Sequence, residues 1–207
     1  MDFAQDPDSD EDAEPSPILL AGPRLTLHLP PPTDAGKVLA YFWMNRAHLG
    51  PWSPPAPPGY YTEEFWRYRL EENRDEYLED RSVRFFAVRT GDPDRIVGNV
   101  SLTNIRRGAL QAANLGYGLA GDVVGHGLMT EALGLTIAFA FGRLSLHRLE
   151  ANHMPDNDRS SRLLERHGFV VEGFAKDYLY IDGRWRDHVL TALSNPSLES
   201  PGVHRTG

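Results

Sequence analysis

At 207 residues the chain has the length of one domain with terminal extensions, and 41% hydrophobic with 24% charged residues is the balance of a globular protein that needs no staples. Cysteine is absent, which excludes disulfides, thiolate metal sites and a cysteine nucleophile, and fits a reducing cytoplasm. The net charge of −8 is local: Asp2, Asp6, Asp8, Asp10, Glu11, Asp12 and Glu14 are seven of the 29 acids, and the other 22 face 21 bases, so no basic nucleic-acid footprint exists.

Residues 1–21, rich in Asp, Pro and Ser, predict an acidic disordered tail, and residues 197–207 a flexible end. No apolar run reaches the length of a membrane span, and no basic-then-apolar leader pattern is present, so no membrane partner is expected. The folded domain is expected over residues 22–196. Residues 24–29 (RLTLHL) alternate as a half-buried strand that three prolines end. Thr33 or Asp34 then caps a helix running to Leu49, and a stiff proline-rich loop (GPWSPPAPPG, 50–59) leads to a second helix opened by Thr62-Glu63-Glu64. The loop is longer than a connector needs, which points to a binding role.

From Arg84 the period becomes that of strands. Residues 85–88 and 96–102 flank a turn signal at 91–94, and a third strand at 113–119 runs antiparallel to its predecessor. Gly116-Tyr117-Gly118 within it marks a bulge or a place where a ligand approaches the backbone. A strongly apolar helix follows, with Leu128, Ala132, Leu135 and Phe139 on one face. Then come a strand at 147–154, a short helix at 157–167 closed by Gly168, and a hairpin turning at Asp182-Gly183. The expected fold class is therefore mixed α/β, a mostly antiparallel sheet with helices on both faces.

Gly125-His126-Gly127-Leu128-Met129-Thr130 stands where a strand hands over to a helix, and exposed N–H groups there make an anion cradle. It lacks the Gly-Lys-Ser/Thr of a Walker loop and the third glycine of the dinucleotide fingerprint, so by itself it also reads as a tight turn. His147 and His153 have no carboxylate at ligand spacing, and no metal is expected.

These residues resemble the GNAT acetyltransferase superfamily. Its Gln/Arg-x-x-Gly-x-Gly/Ala motif falls on residues 124–129, where Gly127 matches the central glycine and Val124 and Met129 depart from the outer positions. Asn152 to Ser161, followed by Leu164-Glu165-Arg166-His167-Gly168-Phe169, resembles the superfamily's second segment. A closer resemblance covers residues 22–196: Leu-Met-Thr-Glu-Ala-Leu (128–133), Ala-Asn-His-Met-Pro-Asp-Asn (151–157) and especially residues 173–193 are similar to the ribosomal-protein-alanine N-acetyltransferase type. Pro51-Trp52 and the run from Asn104 to Gly108 resemble that type too.

The resemblance implies the GNAT acyl-CoA N-acyltransferase fold, acetyl-CoA as co-substrate, and direct transfer to a protein N-terminal α-amine in the cytoplasm, by a monomer or homodimer. It implies that Gly116, Tyr117, Gly118, residues 124–130 and Asn157 contact the coenzyme. Ser160 matches the proton donor to the departing sulfur, and Asn152 and Tyr178 would position the amine or a water. Trp52 and Asp177 would meet the acceptor. Local structure offers alternatives: Ser160 as a first-turn serine satisfying a backbone N–H, Asn157 as an N-cap, and Asp177 and Tyr178 as hairpin pairing residues. Glu131 and Glu150 are alternative bases or solvated surface groups, and His126 either faces a phosphate or is exposed. Trp52, Tyr60 and Tyr61 line a peptide groove or anchor the proline loop. A small-molecule or lysine acetyltransferase, or a coenzyme-binding module without catalysis, are the competing functions.

Overall fold

The structure, a computed structural model, describes residues 19–198. Its strands are β1 (Leu19–Ala21), β2 (Leu25–His28), β3 (Val83–Arg89), β4 (Asp92–Arg106), β5 (Ala112–Leu119), β6 (Arg148–His153), β7 (Val170–Ile181) and β8 (Arg184–Ser194). Its helices are α1 (Ala35–Met44), α2 (Arg46–Leu49), α3 (Glu63–Leu78), α4 (Leu128–Gly142) and α5 (Asp158–Arg166). The strands make a single sheet in the order β1-β2-β3-β4-β5-β6-β8-β7, antiparallel throughout except for the pair β5–β6.

Two adjacent phenylalanines show how the layers arise. Successive strand residues point to opposite faces of a sheet. Phe85 meets Phe139 of α4 with ring centroids 5.2 Å apart, while Phe86 meets Phe42 of α1 at 6.3 Å and Trp66 of α3 at 6.4 Å. Helices α1 and α3 therefore cover one face and α4 the other. Phe85 is completely buried, and burial of such a side chain contributes about 1.5–3 kcal/mol.

Local sequence signals explain several boundaries. Thr62 Oγ1 accepts from the N–H of Phe65 and opens α3. The N–H of Gly168 reaches Glu165 O and that of Phe169 reaches Leu164 O, closing α5 in a Schellman motif. Asp182 and Gly183 both have positive φ between the paired residues Ile181 and Arg184, a two-residue type I′ turn.

Four expectations change. The sheet begins at Leu19, because Leu19–Ala21 pair with β2, so folded structure starts before residue 22; the rest of the acidic tail lies outside the described residues. The helix expected to run to Leu49 breaks at Asn45, whose Nδ2 donates to Tyr41 O at 2.8 Å while its Oδ1 accepts from Gly121 N–H at 2.9 Å. On α4 the buried set includes Leu133 and Thr136, with Leu135 only partly buried, because the helix packs a broader stripe than the expected one. The register of β5 against β4 shifts only between Thr103 and Arg106, so Gly116 and Gly118 mark no bulge.

Candidate active site

Strands β5 and β6 run parallel but pair only through Ala112–Arg148, Ala113–Leu149 and Asn114–Glu150. Beyond Asn114 both continue without bonding to each other, so residues 115–119 present a free backbone edge to an opening in the sheet. Chain leaving β5 turns through Gly121–Val123 and enters α4 beside that opening.

The turn into α4 is built on two glycines. Gly125 has φ +92° and Gly127 +75°, the left-handed region that side chains resist. Glu131 N–H donates the first intrahelical bond, to Gly127 O, so the N–H groups of Leu128, Met129 and Thr130 precede it. Leu128 and Met129 bury their side chains, which leaves their backbone as what they offer a ligand. The carbonyls are tied off elsewhere: Arg24 Nη1 donates to His126 O at 2.8 Å and Nη2 to Gly127 O at 3.1 Å. Arg24 Nε in turn donates to Glu131 Oε2 at 2.7 Å. Donors and helix dipole are thus left for an anion. A cavity of about 420 Å³ beside the turn is lined by Arg24, Arg89 and His126.

At the opening, the Tyr117 hydroxyl of β5 lies 2.6 Å from Ser160 Oγ of α5. Asn157 Oδ1 accepts from Ser160 N–H at 3.1 Å, so Asn157 is the N-cap of α5 and the serine hydroxyl has no part in capping. Burial pushes the Tyr117 hydroxyl up to about 12, against the smaller opposing effect of its Ser160 bond. A second polar pair lies on β6 and β7, where Asn152 Nδ2 donates to the Tyr178 hydroxyl at 3.2 Å. The Tyr178 ring contacts His188 at 5.3 Å between centroids, and burial holds that imidazole below its ordinary value.

Tyr117 also borders a groove of about 890 Å³ between the proline loop and the tip of the β7–β8 hairpin. Trp52 and Tyr61 line one wall, Asp182 and Gly183 the other, and Asn99, Ser101 and Gly118 contribute to its lining between them. A Cβ on Gly118 would come within 2.9 Å of Asn99 Oδ1 and 3.3 Å of the Tyr41 hydroxyl, so any side chain there has to push Asn99 aside. Trp66 and Asn73 line the groove as well, and the buried Trp66 Nε1 and Asn73 Oδ1 find no protein partner. Buried polar atoms are rarely left so, which makes them groups for a ligand or water.

The expected site residues therefore separate. Gly116, Tyr117, Gly118 and the 124–130 turn frame the opening; Ser160 and Asn157 stand across it on α5; Asn152 and Tyr178 form their own pair. Trp52 is on the groove. Asp177 is not: it occupies the β7 bulge with φ +48°, its N–H donating to Asp187 Oδ1 at 2.9 Å. Glu131 is neither base nor solvated. Its side chain is 11% exposed, and although burial acts to raise it, bonds from Arg24 and Leu25 hold the carboxyl below its usual range. Glu150 is committed likewise to Arg106 and Arg148. His126 is exposed. Sequence reasoning missed Arg24, Asn73, Trp66 and the meeting of Tyr117 with Ser160; Tyr117 was singled out only by the glycines on either side of it, as a coenzyme contact. Among the described residues no cluster of three His, Asp or Glu could hold a metal, and no helix is long and apolar enough to cross a membrane.

Comparison with known proteins identifies the family and the fold. Residues 24–170 match the acetyltransferase (GNAT) domain family. The [ribosomal protein uS5]-alanine N-acetyltransferase of Escherichia coli strain K12 is 40% identical over 179 residues, spanning 86% of this chain and 92% of that protein. The ribosomal-protein-S5-alanine acetyltransferase from Vibrio fischeri superposes with a TM-score of 0.84 at 34% identity, covering 88% of this chain and 100% of that one. Mycobacterium smegmatis RimJ, in complex with CoA-disulfide, does so with a TM-score of 0.78 at 30% identity, covering 89% and 88%. The chain belongs to the GNAT acetyltransferase family.

Proposed function

We propose that this acetyltransferase moves the acetyl group of acetyl-CoA to the N-terminal α-amine of a protein, and that the acceptor is the N-terminal alanine of a ribosomal protein in the cytoplasm. The observation that carries the reading is the groove: its lining joins the proline loop to Tyr117, which lies on the part of β5 left unpaired with β6. The similarity to the uS5-alanine enzyme, nearly end to end, supports the choice of acceptor.

The coenzyme pyrophosphate would rest on the N–H groups from Gly125 to Thr130, with the thioester in the sheet opening. Those residues fit the group: positive φ at both glycines clears the backbone, and Arg24 holds the carbonyls away. Asn157 would contribute to coenzyme contact while capping α5. The acceptor nitrogen attacks the carbonyl carbon, the oxyanion collapses, the C–S bond breaks with its electron pair on sulfur, and Ser160 donates a hydrogen bond to that sulfur. Asn152 and Tyr178 would hold the amine or a water at the opening. A strong base is not required, since an α-amine has a pKa of about 7.7–8.0 and on the order of a tenth is neutral near pH 7. A lysine amine, at about 10.4, is neutral several hundred-fold less often.

The test is competition among peptides beginning with alanine, leucine or acetyl-blocked alanine, each with an internal lysine, followed by mass spectrometry. Transfer to the α-amine of the alanine peptide is expected. Equal transfer to the blocked peptide's lysine would overturn the assignment and favour a lysine or small-amine acetyltransferase.

A further inference from the structure

We propose that Tyr117 and Ser160 work as one proton shuttle, in which Tyr117 takes the proton from the attacking nitrogen while Ser160 delivers its own to the departing sulfur. The inference deepens the function proposed above and rests on it.

Three observations place the pair. The two hydroxyls are 2.6 Å apart, within the range of a strong O–H···O bond. Asn157 already caps α5, so the Ser160 hydroxyl is not consumed by the helix terminus. Tyr117 lines the acceptor groove while its hydroxyl bonds to α5, so it bridges the side from which the amine enters and the helix carrying Ser160. When Tyr117 donates to Ser160 Oγ, the serine proton is free to point elsewhere and a phenol lone pair is free to accept.

The step balances without an outside base. As nitrogen adds, a C–N bond forms and the carbonyl π pair moves to oxygen. As the carbonyl re-forms, the C–S pair leaves on sulfur. The extra proton on nitrogen passes to the Tyr117 oxygen, the Tyr117 proton to Ser160 Oγ, and the Ser160 proton to sulfur, giving amide, free thiol and both hydroxyls as they began. Neither hydroxyl is left ionised, so neither needs a pKa matched to the thiol. A serine acting alone would have to become an alkoxide to protonate a thiolate whose acid has a pKa of about 8.5. With its acidity reduced by burial, Tyr117 stays protonated across the neutral range.

The experiment compares wild type, Tyr117→Phe, Ser160→Ala and the double variant on the alanine peptide. Each single change is expected to lower kcat about 10²-fold, the lower end of what a positioned proton donor contributes. Acetyl-CoA affinity by calorimetry should stay within about twofold, the double variant should lose little more than either single one, and the solvent isotope effect on kcat should shrink in all three. Wild-type kcat in Tyr117→Phe, with only the melting temperature lowered, would reduce the bond to a structural clasp and overturn the shuttle. Losses that multiply in the double variant would overturn it as well. If wild type instead modifies lysine, the acceptor assignment fails separately, and the same comparison on that substrate still tests the shuttle.

Discussion

Arg24 and Glu131 stand 107 residues apart in the chain and form one clip under the coenzyme turn. The Glu131 carboxylate takes the Arg24 backbone N–H at 2.8 Å and its Nε at 2.7 Å, which aims the remaining guanidinium nitrogens at the carbonyls of His126 and Gly127. The clip fixes which way the peptide planes of the turn face.

Replacing Arg24 with alanine should therefore weaken acetyl-CoA binding without disturbing the acceptor groove. Arg24 is 53% exposed, so solvent screening limits the effect, and about a tenfold loss of affinity is expected. Titration calorimetry measures it; unchanged affinity in folded Arg24→Ala would remove the clip from the coenzyme site.

Glu131 sets an acid limit. Its folded-state carboxyl lies below the ordinary value, so its stabilising contribution is present above the unfolded pKa of about 4.3 and is lost as pH falls through the folded value. Glu131→Gln should flatten the fall in melting temperature below that pH. Parallel wild-type and variant curves in acid would contradict this.

At Gly127, φ is +75°, and proline requires about −65°. Gly127→Pro should abolish measurable acetyl-CoA binding, whereas Gly127→Ala, strained by roughly 1–2 kcal/mol, should weaken it several-fold. Binding by a folded proline variant would show that the turn does not hold the pyrophosphate.

Gly118→Ala tests the groove separately. The added carbon would displace Asn99 and strain its 3.1 Å bond from the Tyr41 hydroxyl. The KM for peptide should rise several-fold with coenzyme affinity unchanged, while Gly142→Ala, where a Cβ meets nothing within 4 Å, serves as control. A rise in the coenzyme dissociation constant alone would place Gly118 on the coenzyme side.

The acidic segment invites a role in steering a basic substrate, since seven excess negative charges precede the first base. Deleting residues 1–16 should raise the peptide KM at low salt at most and leave kcat intact at high salt, where such fields are screened. A large kcat loss at high salt would mean that the segment reaches the chemistry.

Amino-acid order alone determined the features that close within a few residues. Alternation and helical spacing located the main elements, Asp182-Gly183 marked the hairpin, Asn157 the cap of α5 and Gly168 its end, because each depends on hydrogen bonds between near neighbours. The resemblance over residues 173–193 pointed to the acetyltransferase family for the same reason: it is a property of order, not of folding. Tertiary structure decided what crosses the sheet. That β5 and β6 part after Asn114, that Tyr117 meets Ser160, that Asn45 reaches Gly121 and that Arg24 clips Glu131 each join groups 36 to 107 residues apart. No local propensity encodes such meetings. They follow from where packing on the two faces of the sheet places whole strands and helices, which is why Glu131 reads as a surface carboxylate in sequence and as a half-buried anchor for Arg24 in the fold.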